Sequence, residues 1–159
     1  MTKAALSPPP AVSYDDDLCL WAEQQAALLR DGRWRQIDAA NVAEEVESVG
    51  SSQKSAIRSR LVILIMHLLK WEFQPEMRKY GWRATIIEQR IRIDDLIETS
   101  PSLRTWADQA LAKAYRLAVL RAVDDTGLSE DVFPRLCPYT VEGILDAGFL
   151  PGKLETDVV

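Results

Sequence analysis

The sequence predicts an all-α protein: a helical bundle around a long central helix, with short helical pieces at its C-terminal end. Three observations point there. Residues 61–71 read Leu-Val-Ile-Leu-Ile-Met-His-Leu-Leu-Lys-Trp and are apolar on every side for six residues before His67. A helix without a polar face has to be wrapped by other helices. The seven glycines and eight prolines gather at ends and joints, and apolar residues between them recur in steps of three and four, the helical period. No stretch reads convincingly as a strand, and there is no internal repeat. A chain of 159 residues, 47% apolar, supports one domain with a sizeable core. Its expected boundaries are 14–151, with a disordered lead over 1–13 and a frayed tail over 152–159.

The lead carries Pro8-Pro9-Pro10, which cannot start a helix and has little to bury. Ser13 with Asp16 and Asp17 predicts a capped start. Leu18, Trp21, Gln25, Leu28 and Leu29 then make a first helix that closes at Asp31-Gly32. From Ile37-Asp38 a stripe runs through Val42, Val46, Val49, Gln53, Ala56, Arg60, Leu64, Leu68 and Trp71. Gly50-Ser51-Ser52 would also suit a stop and a restart. The stripe keeps phase across that joint, which favours one long helix, bent if anywhere at that point. Pro75 ends it. Trp82, Ile86, Gln89, Ile93, Leu96 and Ile97 mark the next helix, and Ser100-Pro101 predicts the start of another. That helix is alanine-rich, which suits close packing, and it runs to Thr126-Gly127. Short pieces follow over 129–136 and 140–147, with Thr140 as a cap, and Phe149-Leu150-Pro151 is expected to dock the end.

Composition excludes several classes. No apolar leader precedes residue 14, and the longest apolar run, nine residues, is about half a membrane span. Cys19 and Cys137 lie far apart with no C-x-x-C partner, so both are read as reduced thiols of a cytoplasmic protein. The net charge of −5 is unevenly spread: residues 51–92 hold nine basic and three acidic side chains, between acidic flanks. A basic middle can serve as an anion or nucleic-acid surface. Neutralisation by the folded-over flanks is the simpler reading, and overall acidity argues against a dedicated DNA binder. Five tryptophans also imply polar groups just inside the surface, because a buried indole N–H seeks a partner.

The standard catalytic motifs are absent: no phosphate-binding glycine loop, no H-E-x-x-H, no G-x-S-x-G. Ser51-Ser52-Gln53-Lys54 matches S-x-x-K, but the motifs that accompany it in serine enzymes are missing. His67, the sole histidine, lacks a glutamate three residues before it, so the Glu-x-x-His set of a carboxylate-bridged bundle is not there. Glu44, Glu45 and Glu47 cannot come level with it on either reading of the helix. Across a turn centred near Glu76, Glu88 can reach His67, as a buried hydrogen-bonded pair or the base of a small pocket. Lys70, Trp71, Arg78, Lys79, Tyr80, Trp82, Arg83, Arg90 and Arg92 gather at one end of the same hairpin. Aromatic faces beside Arg and Lys can hold nucleotides or stack bases, although Trp71 and Trp82 at stripe positions read first as core under snorkelling cations.

The chain resembles the bacterial domain-of-unknown-function family numbered twenty-nine. The resemblance is carried by Tyr14-Asp15, Leu20 to Gln25, Leu28 to Arg30, Asn41 with Glu44-Glu45, and Leu64 to Trp71, where His67-Leu68-Leu69-Lys70-Trp71 is the most specific piece. It continues through Trp82, Ile86, Gln89 and Arg90, Ser100 to Leu103, Ala114-Tyr115, Phe133-Pro134 and Cys137 to Thr140. It covers about residues 14–150 and implies a compact helical cytoplasmic protein of unassigned activity. It also implies that residues 133–140 are a defined cap on the bundle. No catalytic residue, metal ligand or cofactor follows from it. The expectation is therefore a protein that acts through a protein partner or as a homo-oligomer, rather than an enzyme. The alternatives are a small-ligand or nucleotide pocket among His67, Lys70, Trp71, Trp82, Glu88 and Arg90, or a weak single-stranded nucleic-acid contact through residues 54–92.

Overall fold

The computed structural model describes residues 11–152. The expected lead falls mostly on residues 1–10 and the expected tail mostly on 153–159, outside the described residues. The described chain is helical and holds no strand. Its helices are α1 (Leu18–Arg30), α2 (Ala39–Phe73), α3 (Tyr80–Thr99), α4 (Leu103–Thr126) and α5 (Val141–Leu145). Short 3-10 turns lie at Trp34–Gln36, Pro75–Met77 and Glu130–Val132. The chain divides into two compact units, one up to Gly50 and one from Ser51.

In the first unit the helix start differs from expectation. Ser13 opens a turn instead, its hydroxyl donating to Asp16 Oδ2 at 2.8 Å. Asp17 is the cap, accepting the Leu20 N–H at 3.0 Å. Capping goes to the side chain whose oxygen reaches the second or third free N–H of the helix, and Ser13 lies too far upstream. Gly32 leaves the helix with a φ of 67°, in the left-handed region that glycine enters at no steric cost. Around Trp21, buried to 3% exposure, the unit is pinned by polar contacts. The Trp21 indole donates to Asp38 Oδ2 (3.3 Å), and Gln25 accepts the Asp38 N–H (2.9 Å). Asn41 donates to Asp38 through both side chain and backbone. The Tyr14 ring meets Trp21 edge-on at 4.9 Å, and its hydroxyl donates to Glu45 Oε1 at 2.5 Å. Val46 and Val49, expected on the buried stripe, stand 68% and 62% exposed. The helical period places residues on one face of a helix, but burial requires a second element to cover that face.

In the second unit the portion of α2 from Ser51 is the central rod. Ile57, Leu61, Leu64, Ile65, Leu68 and Leu69 are fully buried, meeting Ile86 and Ile93 of α3, Ala107, Ala114, Ala118 and Ala122 of α4, and Ile144 of α5. Four alanines of α4 thus lie in this core, as close helix approach requires. The α2 helix runs unbroken through Gly50, as the stripe's phase predicts. The α2 helix ends at Phe73, just before Pro75 as expected, and Pro75 opens a 3-10 turn. Ser100 does not cap α4: that helix starts at Leu103, and the Ser100 hydroxyl donates to Gln53 Oε1 at 2.8 Å. A hydroxyl captured by a neighbouring helix is no longer available to the N–H groups of its own. Gly127, at φ 70°, ends α4 in the left-handed conformation. Thr140 caps α5 as expected, accepting the Gly143 N–H at 3.1 Å.

Candidate functional site

The six side chains singled out from the sequence, all within the second unit, fall into separate settings. Lys70 is buried to 8% exposure in the last turn of α2. Its ammonium pairs with Asp125 Oδ2 at 2.6 Å and lies 4.7 Å from the centre of the Trp82 ring. The cation thus has a counter-charge on one side and an aromatic face on another. His67, one turn earlier, is half-buried. Its Nδ1 lies 2.9 Å from the Ile63 carbonyl. A carbonyl only accepts, so Nδ1 carries the proton and the neutral ring keeps its lone pair on Nε2. Burial, and then the nearby Lys70 charge, hold the imidazole below its ordinary pKa of 6.5, against opposing contributions from the Ile63 hydrogen bond and Asp125.

The expected His67–Glu88 pair is not formed. Glu88 lies on the solvent side of α3 and accepts from Arg92 at 2.8 Å, an exposed ion pair four residues apart. The separation along the hairpin allows the meeting, but the helical phase of α3 turns Ile86, Gln89, Arg90 and Ile93 inward and leaves position 88 outside.

Arg90 is buried to 5% exposure and acts as a clamp. Nε donates to the Ile144 carbonyl at 2.7 Å, Nη2 to Phe149 at 2.6 Å and Nη1 to Ala147 at 3.4 Å. Only a planar fork of N–H donors can hold three carbonyls of one returning segment in this way. The expected docking of the chain end is this contact, reinforced by the Tyr139 and Phe149 rings, edge-on at 5.9 Å. Tyr139 also donates to Glu72 Oε2 at 2.6 Å, and burial and that carboxylate push its phenol pKa well up. Trp71 packs against the core while Arg78 lies 4.9 Å over its ring and donates to its carbonyl. The Trp71 indole N–H is buried with no partner among the described residues, unlike that of Trp21.

Lys70 and Trp82 are therefore brought together with His67 nearby, Trp71 is stacked under Arg78, and Glu88 and Arg90 are engaged elsewhere. Asp125 was missed by sequence reasoning. The signal was an acid in the last turn of α4, where the helix dipole disfavours negative charge and a nearby cation offsets it. Cys137, donating to the Tyr139 carbonyl at 3.6 Å, has its thiol pKa raised by burial, which suppresses the thiolate. Among the described residues no three His, Cys, Asp or Glu side chains converge as a metal site. A concavity of about 710 Å³ lies between α4 and the segment after it, lined by apolar Val119, Leu120 and Phe133 and by both charges, Arg116 and Arg135 with Glu130 and Asp131.

A family model described as a domain of unknown function, DUF29, matches residues 13–150. The chain belongs to the DUF29 family. No curated protein and no solved structure matches it. Several of the residues by which the sequence resembles DUF29 make tertiary hydrogen bonds in this chain: Trp21, Gln25 and Asn41 with Asp38, Tyr14 with Glu45, and Lys70, Arg90 and Tyr139 in the second unit. For this DUF29 chain those positions have a packing role on their geometry alone.

Proposed function

We propose that this chain is a bacterial cytoplasmic protein that acts by protein–protein interaction, as a homo-oligomer or beside a partner, and not by chemistry at a pocket. The observation behind this reading is a division of labour between side chains. Most of those that read as ligand-binding are engaged within the chain: Lys70 by Asp125 and Trp82, Glu88 by Arg92, Arg90 by three carbonyls. Large apolar side chains meanwhile stand in solvent on the helices, among them Ile87 (45% exposed), Ile91 (55%) and Leu120 (56%). Exposed apolar residues scattered singly are ordinary, whereas residues aligned on one helix face indicate an interaction surface. Both cysteines are free, and no helix among the described residues is long and apolar enough to cross a membrane, which supports the compartment.

Native mass spectrometry of the purified full chain tests this reading, with no ligand added. A mass that is a multiple of the chain is the expected result. A monomer carrying a small-molecule adduct that disappears in His67→Ala would overturn it in favour of a pocket.

A further inference from the structure

The outer face of α3 has a particular pattern. Tyr80, Ala84, Ile87 and Ile91 recur in steps of four, three and four, and all are exposed, Tyr80 to 95%. At roughly 100° per residue these four fall within a narrow stripe. Ala84, Ile87 and Ile91 line a shallow groove, with Glu88, Arg92 and Asp95 along one edge. The charges on the stripe are segregated along the axis. Arg83 lies at its N-terminal end, and Asp94 and Glu98 lie at its C-terminal end. Among the described residues the ion pairs are Lys70–Asp125 and Arg92–Glu88, so Arg83 and Glu98 have none, and Asp94, half-buried, feels the charge of Arg90 without pairing with it.

A face that is basic at one end, apolar in the middle and acidic at the other is complementary to itself reversed. From this we infer that the occupant of the face is a second copy of this chain, with the two α3 helices packed antiparallel about a two-fold axis level with Gln89. The inference rests on the reading of the chain as an interaction protein. In that register Ile87 of each copy meets Ile91 of the other at the centre. Asp94 of the second copy comes level with Ala84, on the lateral side that carries Arg83, and its carboxylate faces the Arg83 guanidinium. Glu98 of the second copy comes level with Tyr80, whose hydroxyl donates to it. The two-fold makes each contact twice, as an isologous interface requires. Antiparallel α3 dipoles add to the preference for this orientation over the parallel one, which would leave Arg83 and Asp94 without an opposite charge level with them. One helix pair buries less surface than a permanent dimer does, so the association is concentration-dependent.

Sedimentation velocity of the full chain over a wide concentration range tests this, together with Ile87→Glu, Arg83→Glu and Asp94→Arg. Wild type is expected to pass from monomer to dimer with concentration. Ile87→Glu is expected to stay monomeric with unchanged helical circular dichroism. Arg83→Glu and Asp94→Arg each place like charges opposite twice, and each weakens the dimer by at least about tenfold. Mixed in equal amounts, these two variants satisfy both charge pairs, and a heterodimer forms at concentrations where neither variant dimerises alone. A wild type that dimerises while Ile87→Glu dimerises equally well would overturn the α3 interface and leave the interaction reading standing. A wild type monomeric throughout would remove self-association altogether. A mixture that associates no better than its components would overturn the antiparallel register, and Ile87→Glu still decides the face should Asp94→Arg fail to fold.

Discussion

His67 is one turn from a buried ammonium, and its Nδ1–H is held by the Ile63 carbonyl. Burial and Lys70 lower its pKa below 6.5, so the folded state binds a proton less readily than the unfolded chain. The sign follows by linkage. Above the unfolded value both states are neutral and His67 contributes no pH dependence. As pH falls through about 6.5 the unfolded chain takes up the proton first and stability declines, until the folded value is passed. With one histidine in the chain, its imidazole resonances are expected to titrate below 6.5. The urea midpoint is expected to fall between about pH 7.5 and 5.5 in wild type and to stay flatter in His67→Gln. At Arg90 the argument is one of orphaned acceptors. Arg90→Ala strips three carbonyls of the C-terminal segment of their donor, and a loss of about 3 kcal/mol in chemical denaturation is expected. Arg90→Lys is expected to recover little of it, since an ammonium cannot span the three acceptors. The identity of Arg90 as a buried residue was not legible in the sequence beyond its inward phase, because its partners arrive from more than fifty positions away.

At the scale of elements, α2 is the feature that periodicity described best. Its stripe crosses Gly50 in phase, and the helix is continuous from Ala39 to Phe73. Glycine there serves no turn, and a Cβ added to it would meet nothing within 4 Å. Gly50→Ala is therefore expected to raise stability by about 0.5–1 kcal/mol, seen as a higher thermal midpoint. Helix starts were less legible. Asp17 and not Ser13 caps α1, and Ser100 gives its hydroxyl to Gln53 instead of to α4. Several side chains with an oxygen in the right neighbourhood are chemically equal candidates for a cap. The one whose backbone turns at that point takes the role, and distant contacts decide where the backbone turns. On α3 the inward row of Ile86, Gln89, Arg90 and Ile93 set the phase, and that phase sent Glu88 away from His67.

Over the whole molecule, burial is uneven between the two units. Up to Gly50 the buried side chains among the described residues are Trp21 and Gln25, and polar contacts around Asp38 and Glu45 do much of the holding. From Ser51 onward an apolar core of leucines, isoleucines and alanines is continuous. Native-state hydrogen exchange is expected to show this as slowest exchange at Leu61 to Leu69 and faster exchange, through smaller openings, along α1. Equal protection in both would contradict it. The all-α class, the order of the long helices and the membership of DUF29 were determined by the sequence alone, and the phase of the stripe favoured the long helix through Gly50, because period, punctuation and motif order are properties of neighbours in the chain. Tertiary structure decided which hydroxyl caps a helix, which cation is buried, that Asp125 rather than a partner of His67 is the important carboxylate, and that Val46, Val49, Ile87 and Ile91 stay uncovered. Each of these depends on what a distant segment brings to a surface. The helical period states only which residues share that surface.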